Sequence, residues 1–109
     1  MSKINFEISN YTISDNENSK KIIIEGQKLP PPSKRITLHQ KNIKILSAKI
    51  IHKHKKGDIE FEVVRINHIK SFNEIRIHTN SILYPGTYIL TLSYTGQIDE
   101  EQLDSNQLP

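Results

Sequence analysis

The chain has 109 residues, one domain by length, and carries 15 Lys and Arg against 12 Asp and Glu for a net charge of +3. Hydrophobic residues make up 35% and charged residues 25%, which excludes a disordered chain and allows one modest core. The absence of cysteine excludes a disulfide framework, a thiol nucleophile and a Cys-ligated zinc site.

The apolar residues are dominated by Ile, whose stiff, β-branched side chain suits a pleated sheet. No apolar run approaches the ~20 residues of a membrane-spanning helix. The N-terminus, Met1 to Asn5, lacks the apolar stretch of a secretory signal. A cytoplasmic protein is the expectation, with no membrane partner.

Alternation begins at Ile4, Phe6 and Ile8 and resumes at Tyr11 and Ile13, after Asn10. This reads as one kinked strand or two short ones. The polar run Ser14 to Ser19 is a turn. Lys20 to Gly26 carries Ile22, Ile23 and Ile24 in a row, a pattern open to a strand covered on both faces. Pro30, Pro31 and Pro32 cannot donate ladder hydrogen bonds, so Lys28 to Ser33 is an extended connection.

Arg35 to His39 is a short strand with Ile36 and Leu38 on one face, and Gln40 to Asn42 breaks it. Ile43 and Ile45 alternate, then the phase slips at Leu46 and continues through Ala48 and Ile50. Either a β-bulge or a junction of two strands produces that slip. Lys53 to Asp58 is a hairpin loop in which Gly57 supplies a positive φ. Ile59, Phe61 and Val63 alternate before a second slip to Val64 and Ile66. Asn67 to Asn73 reads as a polar connection, and Ile75 and Ile77 as a strand broken at Thr79 to Ser81.

The clearest element is the last. Tyr84-Pro85-Gly86 has the residue order of a type II turn. Beyond it Tyr88, Leu90, Leu92 and Tyr94 share one face, and Thr87, Ile89, Thr91 and Ser93 the other, until Gly96. Residues 97–109 form a polar tail with Ile98, Leu103 and Leu108 as its apolar anchors. The total is about seven short strands at roughly ten-residue spacing and no helix, which predicts an all-β antiparallel sandwich over 1–96.

Few residues carry recognisable chemistry. His52 and His54 would point the same way on a strand, as two metal ligands must, with Asp58 and Glu60 following. Lys53, Lys55 and Lys56 surround them with positive charge, and a solvated hairpin end is the better reading. His39, His68 and His78 are isolated and lack the nucleophile and orienting partner that a catalytic base requires. Glu60 and Glu62 read as the wet face opposite Ile59, Phe61 and Val63; Glu7 and Asp15 are a second carboxylate pair. Lys41, Lys44, Lys49, Lys53, Lys55 and Lys56 form a basic stretch, but Lys on exposed strands also blocks edge pairing. Aromatic residues are only 6%, too few to stack on single strands, so a nucleic-acid partner is not favoured. No phosphate loop, nucleophile elbow or His-Glu-x-x-His is present.

Two stretches nevertheless carry a resemblance. Arg35 to Ile50, with its Leu38-His39 followed by Ile43-Lys-Ile45, and Leu83 to Ile98, with its Pro-Gly turn leading into Tyr88-x-Leu90-x-Leu92-x-Tyr94-x-Gly96, resemble the N-terminal domain of zinc aminopeptidases of the aminopeptidase N and leukotriene A4 hydrolase type. Ile24-Glu25-Gly26 is similar to that domain's early strand, although the Phe-x-Gly that precedes it is absent. The resemblance spans residues 11–98 and implies a β-sandwich without catalysis of its own. It also implies that zinc and the catalytic residues belong to a later domain of the parent, which would be this chain's partner. Gln97 and Gln102 do not match the position of that family's substrate-contacting Gln or Glu, so the site residues carried over are none: no catalytic, cofactor-binding or metal residue. Leu108-Pro109 falls where the family domain continues, so a piece of a longer protein, or a free-standing relic of one, is expected. The alternative is a stand-alone interaction or carbohydrate-binding sandwich.

Overall fold

Among the described residues, eight strands pair antiparallel into two facing sheets. The computed structural model describes residues 4–16 and 18–104, the side chain of residue 104 aside. Met1 to Lys3, Glu17 of the first turn and the anchor at Leu108 lie outside the described residues.

The strands are β1 (Phe6–Asn16), β2 (Ser19–Lys28), β3 (Ser33–His39), β4 (Ile43–His52), β5 (Ile59–Phe61), β6 (Val63–Ile69), β7 (Glu74–Leu83) and β8 (Gly86–Gly96). The larger sheet has the order β1-β2-β8-β4-β5 and the smaller one β3-β7-β6. The all-β sandwich read from the alternation is therefore the fold. The core lies between the sheets. Phe6, Ile22, Ile24, Ile50, Tyr88, Leu90 and Leu92 fill it from one side, and Ile36, Leu38, Ile75, Ile77 and Leu83 from the other.

The two phase slips are bulges, for one physical reason. An extra residue resets the period of two, and the core face is recovered beyond it. In β4 the irregularity falls between Ile45 and Ser47, and Leu46 is 60% exposed. In β6 it falls between Val63 and Arg65, and Val64 is turned outward. The kink in β1 is a third bulge, between Ile8 and Asn10, within one continuous strand.

Several expectations differ from the structure. Ile23 is 44% exposed while Ile22 and Ile24 are buried, so β2 is covered on one face only. Glu62 divides the segment from Ile59 to Ile66, because β5 pairs in the large sheet and β6 in the small one. Asn67 to Ile69 continues β6, and a 3-10 turn at Lys70–Phe72 ends with Asn73 in the left-handed region at φ 53°. β7 runs on past Thr79 to the buried Leu83, its irregular stretch lying opposite the interval between Ser33 and Arg35. Tyr84-Pro85-Gly86 passes the chain from one sheet to the other, and its Gly86 has φ 156° in place of the roughly 80° of a type II turn. Gly86 also leaves room for His52, whose Nε2 would be 2.8 Å from an added Cβ.

The region read as a polar tail contains a short helix, α1 (Glu100–Asp104), where none was expected. Leu103 is buried against the core. Gln40 holds the segment through two bonds: Asp99 N–H donates to its Oε1 at 2.6 Å, and its Nε2 donates to Asp99 O at 3.0 Å. Among the described residues, no helix is long and apolar enough to cross a membrane.

Leu90 sits in the central strand with no exposed surface. Leu90→Ala should cost about 2–5 kcal/mol in urea unfolding. Leu46→Ala, at the exposed bulge, should stay within about 0.5 kcal/mol. Equal costs would contradict this assignment of core and bulge.

Candidate functional site

The sequence candidates separate into three places. At the first, β4 ends in His52, directly opposite Tyr88 of β8. The His52 and Tyr88 rings stack at 4.3 Å with an interplanar angle of 12°. His54 meets His52 edge-on at 6.1 Å, and its Nδ1 accepts from Lys56 N–H. Burial, then His54, lowers the pKa of His52. The buried Tyr88 hydroxyl donates to Tyr84 O at 2.7 Å, and desolvation pushes its pKa up to about 12 against the smaller lowering effect of that bond. His52 thus packs as an aromatic lid on a core tyrosine. Among the described residues no group of three or more His, Cys, Asp or Glu side chains is placed to hold a metal ion. The nearby acids are engaged with lysines instead: Asp58 with Lys53 at 3.6 Å and Glu60 with Lys49 at 3.7 Å.

The second place is a 330 Å³ cleft between the β3–β4 connection and the end of β6, lined by Gln40 to Ile43, His68, Lys70 and Glu74 among others. Among the described residues, the upper part of β4 has no paired strand on its β5 side, since β5 pairs only with Ile50 to His52. His68 fills part of that gap: its Nε2 accepts the Ile45 N–H at 3.1 Å. An imidazole that accepts at Nε2 must be neutral with its proton on Nδ1. Burial, then the charge of Lys44, lowers the pKa of His68 and favours that state. Glu74 is buried, and Arg76 binds its Oε1 through Nε at 3.0 Å and Nη2 at 2.9 Å. Lys41 pairs with Asp99 at 3.8 Å. The one carboxylate lining the cleft, Glu74, is engaged by Arg76, and among the described residues the lining brings no nucleophile to a base.

The third place is the outer face of the small sheet, where His78 lies between Arg35 and Arg65. Its pKa is lowered by burial first and then by Arg65, Arg35 and Arg76. Asn67 Nδ2 stands 3.4 Å from His78 Nε2.

The remaining candidates do not converge. His39 ends β3 opposite Glu74. Glu60 and Glu62 are exposed, and Glu7 and Asp15 lie near opposite ends of β1, opposite Gln27 and Lys20. Gln97 is exposed and gives its N–H to Asn42 O, while Gln102 sits on α1. A 440 Å³ hollow beside Lys20, Leu46 and Tyr94 holds none of them; there Lys20 Nζ donates to Gly96 O at 2.8 Å.

Sequence reading missed Lys28. It is 2% exposed, and its ammonium donates to Leu29 O at 2.8 Å and to Pro31 O at 2.9 Å. It ties the end of β2 to the proline connection, and burial lowers its pKa. The signal was its even-numbered position, in phase with Ile22, Ile24 and Gly26. No protein-family model matches the chain, and no curated protein sequence matches it.

His52, His68 and His78 all have folded pKa values below the ordinary 6.5. The unfolded chain therefore binds more protons near that value, and stability falls as pH drops through it. The urea midpoint should be lower at about pH 5 than at about pH 7.5. His68→Gln keeps an acceptor for Ile45 N–H but cannot titrate, so it should flatten this acid limb. A steeper limb in that variant would contradict the role assigned to His68.

Proposed function

We propose that the chain is a non-catalytic β-sandwich domain of a cytoplasmic zinc aminopeptidase, packing on the catalytic domain and shaping access to its cleft. The observation that supports this reading most is a group of exposed apolar side chains around one corner. Ile59 on β5, Val64 at the β6 bulge, and Ile82 and Tyr84 at the β7–β8 crossover are 49%, 56%, 43% and 59% exposed. Their segments are neighbours: Asn80 N–H donates to Glu62 O, Tyr88 reaches back to Tyr84 O, and His52, stacked on Tyr88, pairs with Ile59. Apolar residues grouped at a surface mark a place where another protein surface packs. The order of strands from Arg35 to Gly96 supports the same reading through its resemblance to that domain.

A carbohydrate platform draws less support, because Tyr88 and Tyr94 are buried and form no exposed aromatic row. In the proposed arrangement the metal and the peptide chemistry reside in the partner domain. This domain supplies a rigid wall.

The reading frame after Pro109 is expected to encode His-Glu-x-x-His, and its absence would end the proposal. Val64→Lys together with Ile82→Lys should leave this domain's own stability within about 1 kcal/mol. The same pair should abolish its binding to the catalytic domain in a size-exclusion assay. A zinc-supplemented peptidase assay on this chain alone should give no turnover, and turnover would overturn the non-catalytic reading.

A further inference from the structure

We propose that the outer face of the small sheet, where Arg35 and Arg65 flank His78, is a binding site for a compact oxyanion of the phosphate class. The proposal does not rest on the aminopeptidase reading. It begins from placement. The chain has only three arginines, at 35, 65 and 76, and each lies on a different strand of the same three-stranded sheet. Ile36, Leu38, Ile75 and Ile77 face the core, so period two turns Arg35, Arg76 and His78 to the opposite face. The Val64 bulge puts Arg65 there too, because Ile66 beyond it packs on the core.

Pairing makes the cluster tight. Arg35, His78 and Arg65 occupy one rung across the three strands, and Thr37, Arg76 and Asn67 occupy a second. Strand spacing puts the Cα atoms of Arg35 and Arg65 about 10 Å apart, one on each side of the imidazole. Arg76 is engaged by Glu74. Arg35 and Arg65 have no carboxylate within ion-pair distance among the described residues. On the second rung Thr37 Oγ1 is buried without a hydrogen-bond partner.

Edge protection accounts for only part of this. β3 and β6 are both edges, and a cation on each discourages further pairing. Protection does not require the two charges on one rung, nor a third arginine on the middle strand. Like charges gathered on one face of a sheet repel one another. An anion seated between the guanidiniums offsets that repulsion and receives paired, charge-assisted hydrogen bonds.

The size of the patch selects the ligand. Glu74 bounds it on one side, opposite His39 and Ile69. A long polyanion would run onto that carboxylate, and the face presents no Phe, Tyr or Trp for bases to stack on. A compact group such as pyrophosphate, or a terminal phosphate on a small molecule, spans the Arg35–Arg65 gap without reaching it. Bound there, it favours the protonated state of His78.

The test titrates inorganic pyrophosphate into the full chain at low ionic strength, with the His78 imidazole followed by NMR. Saturable binding is expected, together with a rise in the His78 pKa. Arg35→Gln and Arg65→Gln should each weaken binding about tenfold. Lys55→Gln with Lys56→Gln, on the distant loop, should not weaken it. Without ligand, Arg65→Gln alone should raise the His78 pKa, a readout that depends on neither binding nor catalysis. AMP against free phosphate separates a carried phosphate from the free ion. The proposal fails if pyrophosphate leaves His78 unmoved, or if the response survives the double arginine variant. Tighter binding of a single-stranded oligonucleotide, lost in the lysine variants and kept in the arginine ones, would overturn it in favour of a nucleic-acid strand on the loop.

Discussion

The fold depends on β8 being paired along both edges. β2 joins it from Lys21 to Lys28 and β4 from Ile43 to His52, so Tyr88, Leu90 and Leu92 have a strand partner on each side and Tyr94 has one in β4. Tyr88, Leu90, Leu92 and Tyr94 are thereby held in one line facing the small sheet. A strand paired on one side only would leave its backbone groups to water and its register loose. Because β8 follows both of its partners along the described chain, the large sheet is complete only when β8 has been placed between two earlier pieces. Most contacts in such a topology are long-range, and long-range pairing is the slow, cooperative part of folding.

The rest of the architecture follows from how the chain changes sheets. It crosses at the prolines after β2, at Gln40 to Asn42, at Glu62 and at Tyr84 to Gly86. Polar backbone at the rim and along the strand edges is satisfied at several points by specific side chains. Lys28 binds the carbonyls of the proline connection. Gln40 clasps Asp99. Asn5 lies along the edge of β3, accepting from Thr37 N–H and donating to Arg35 O, each at 2.8 Å. His68, from the opposite sheet, accepts the Ile45 N–H of β4. These four polar residues hold the two sheets in register where apolar packing, which is non-directional, cannot.

Charge is distributed unevenly over this frame. Lysines crowd the β4–β5 end, where Lys49 and Lys53 are answered by Glu60 and Asp58. Arginines occupy the outer face of the small sheet, where one of the three is answered by Glu74. The near balance of total charge hides this division. It also explains the behaviour of the histidines. His52 and His68 are governed mainly by burial, whereas His78 carries three guanidiniums around it in addition.

Much of the fold was legible in the sequence because a period of two has a direct physical meaning. Residues two apart share a face, so the alternations around Phe6, Leu90 and Ile75 located strands and core together, and the slips at Leu46 and Val64 marked real bulges. Local pattern does not encode which strands become neighbours. Nothing near Ile23 shows that its side is left uncovered, and nothing near Glu62 shows that the strand will change sheets there. The helix at Glu100 to Asp104 is too short for periodicity to reveal, and burial of Leu103 is what orders it. The candidate sites divide the same way. Composition alone showed the lack of cysteine and the modest basic excess. Only the tertiary structure paired the lysines with acids, seated His52 on Tyr88 and gathered three arginines from distant segments around one histidine, because side-chain chemistry is local to a residue while electrostatics depends on which residues the sheets bring within reach.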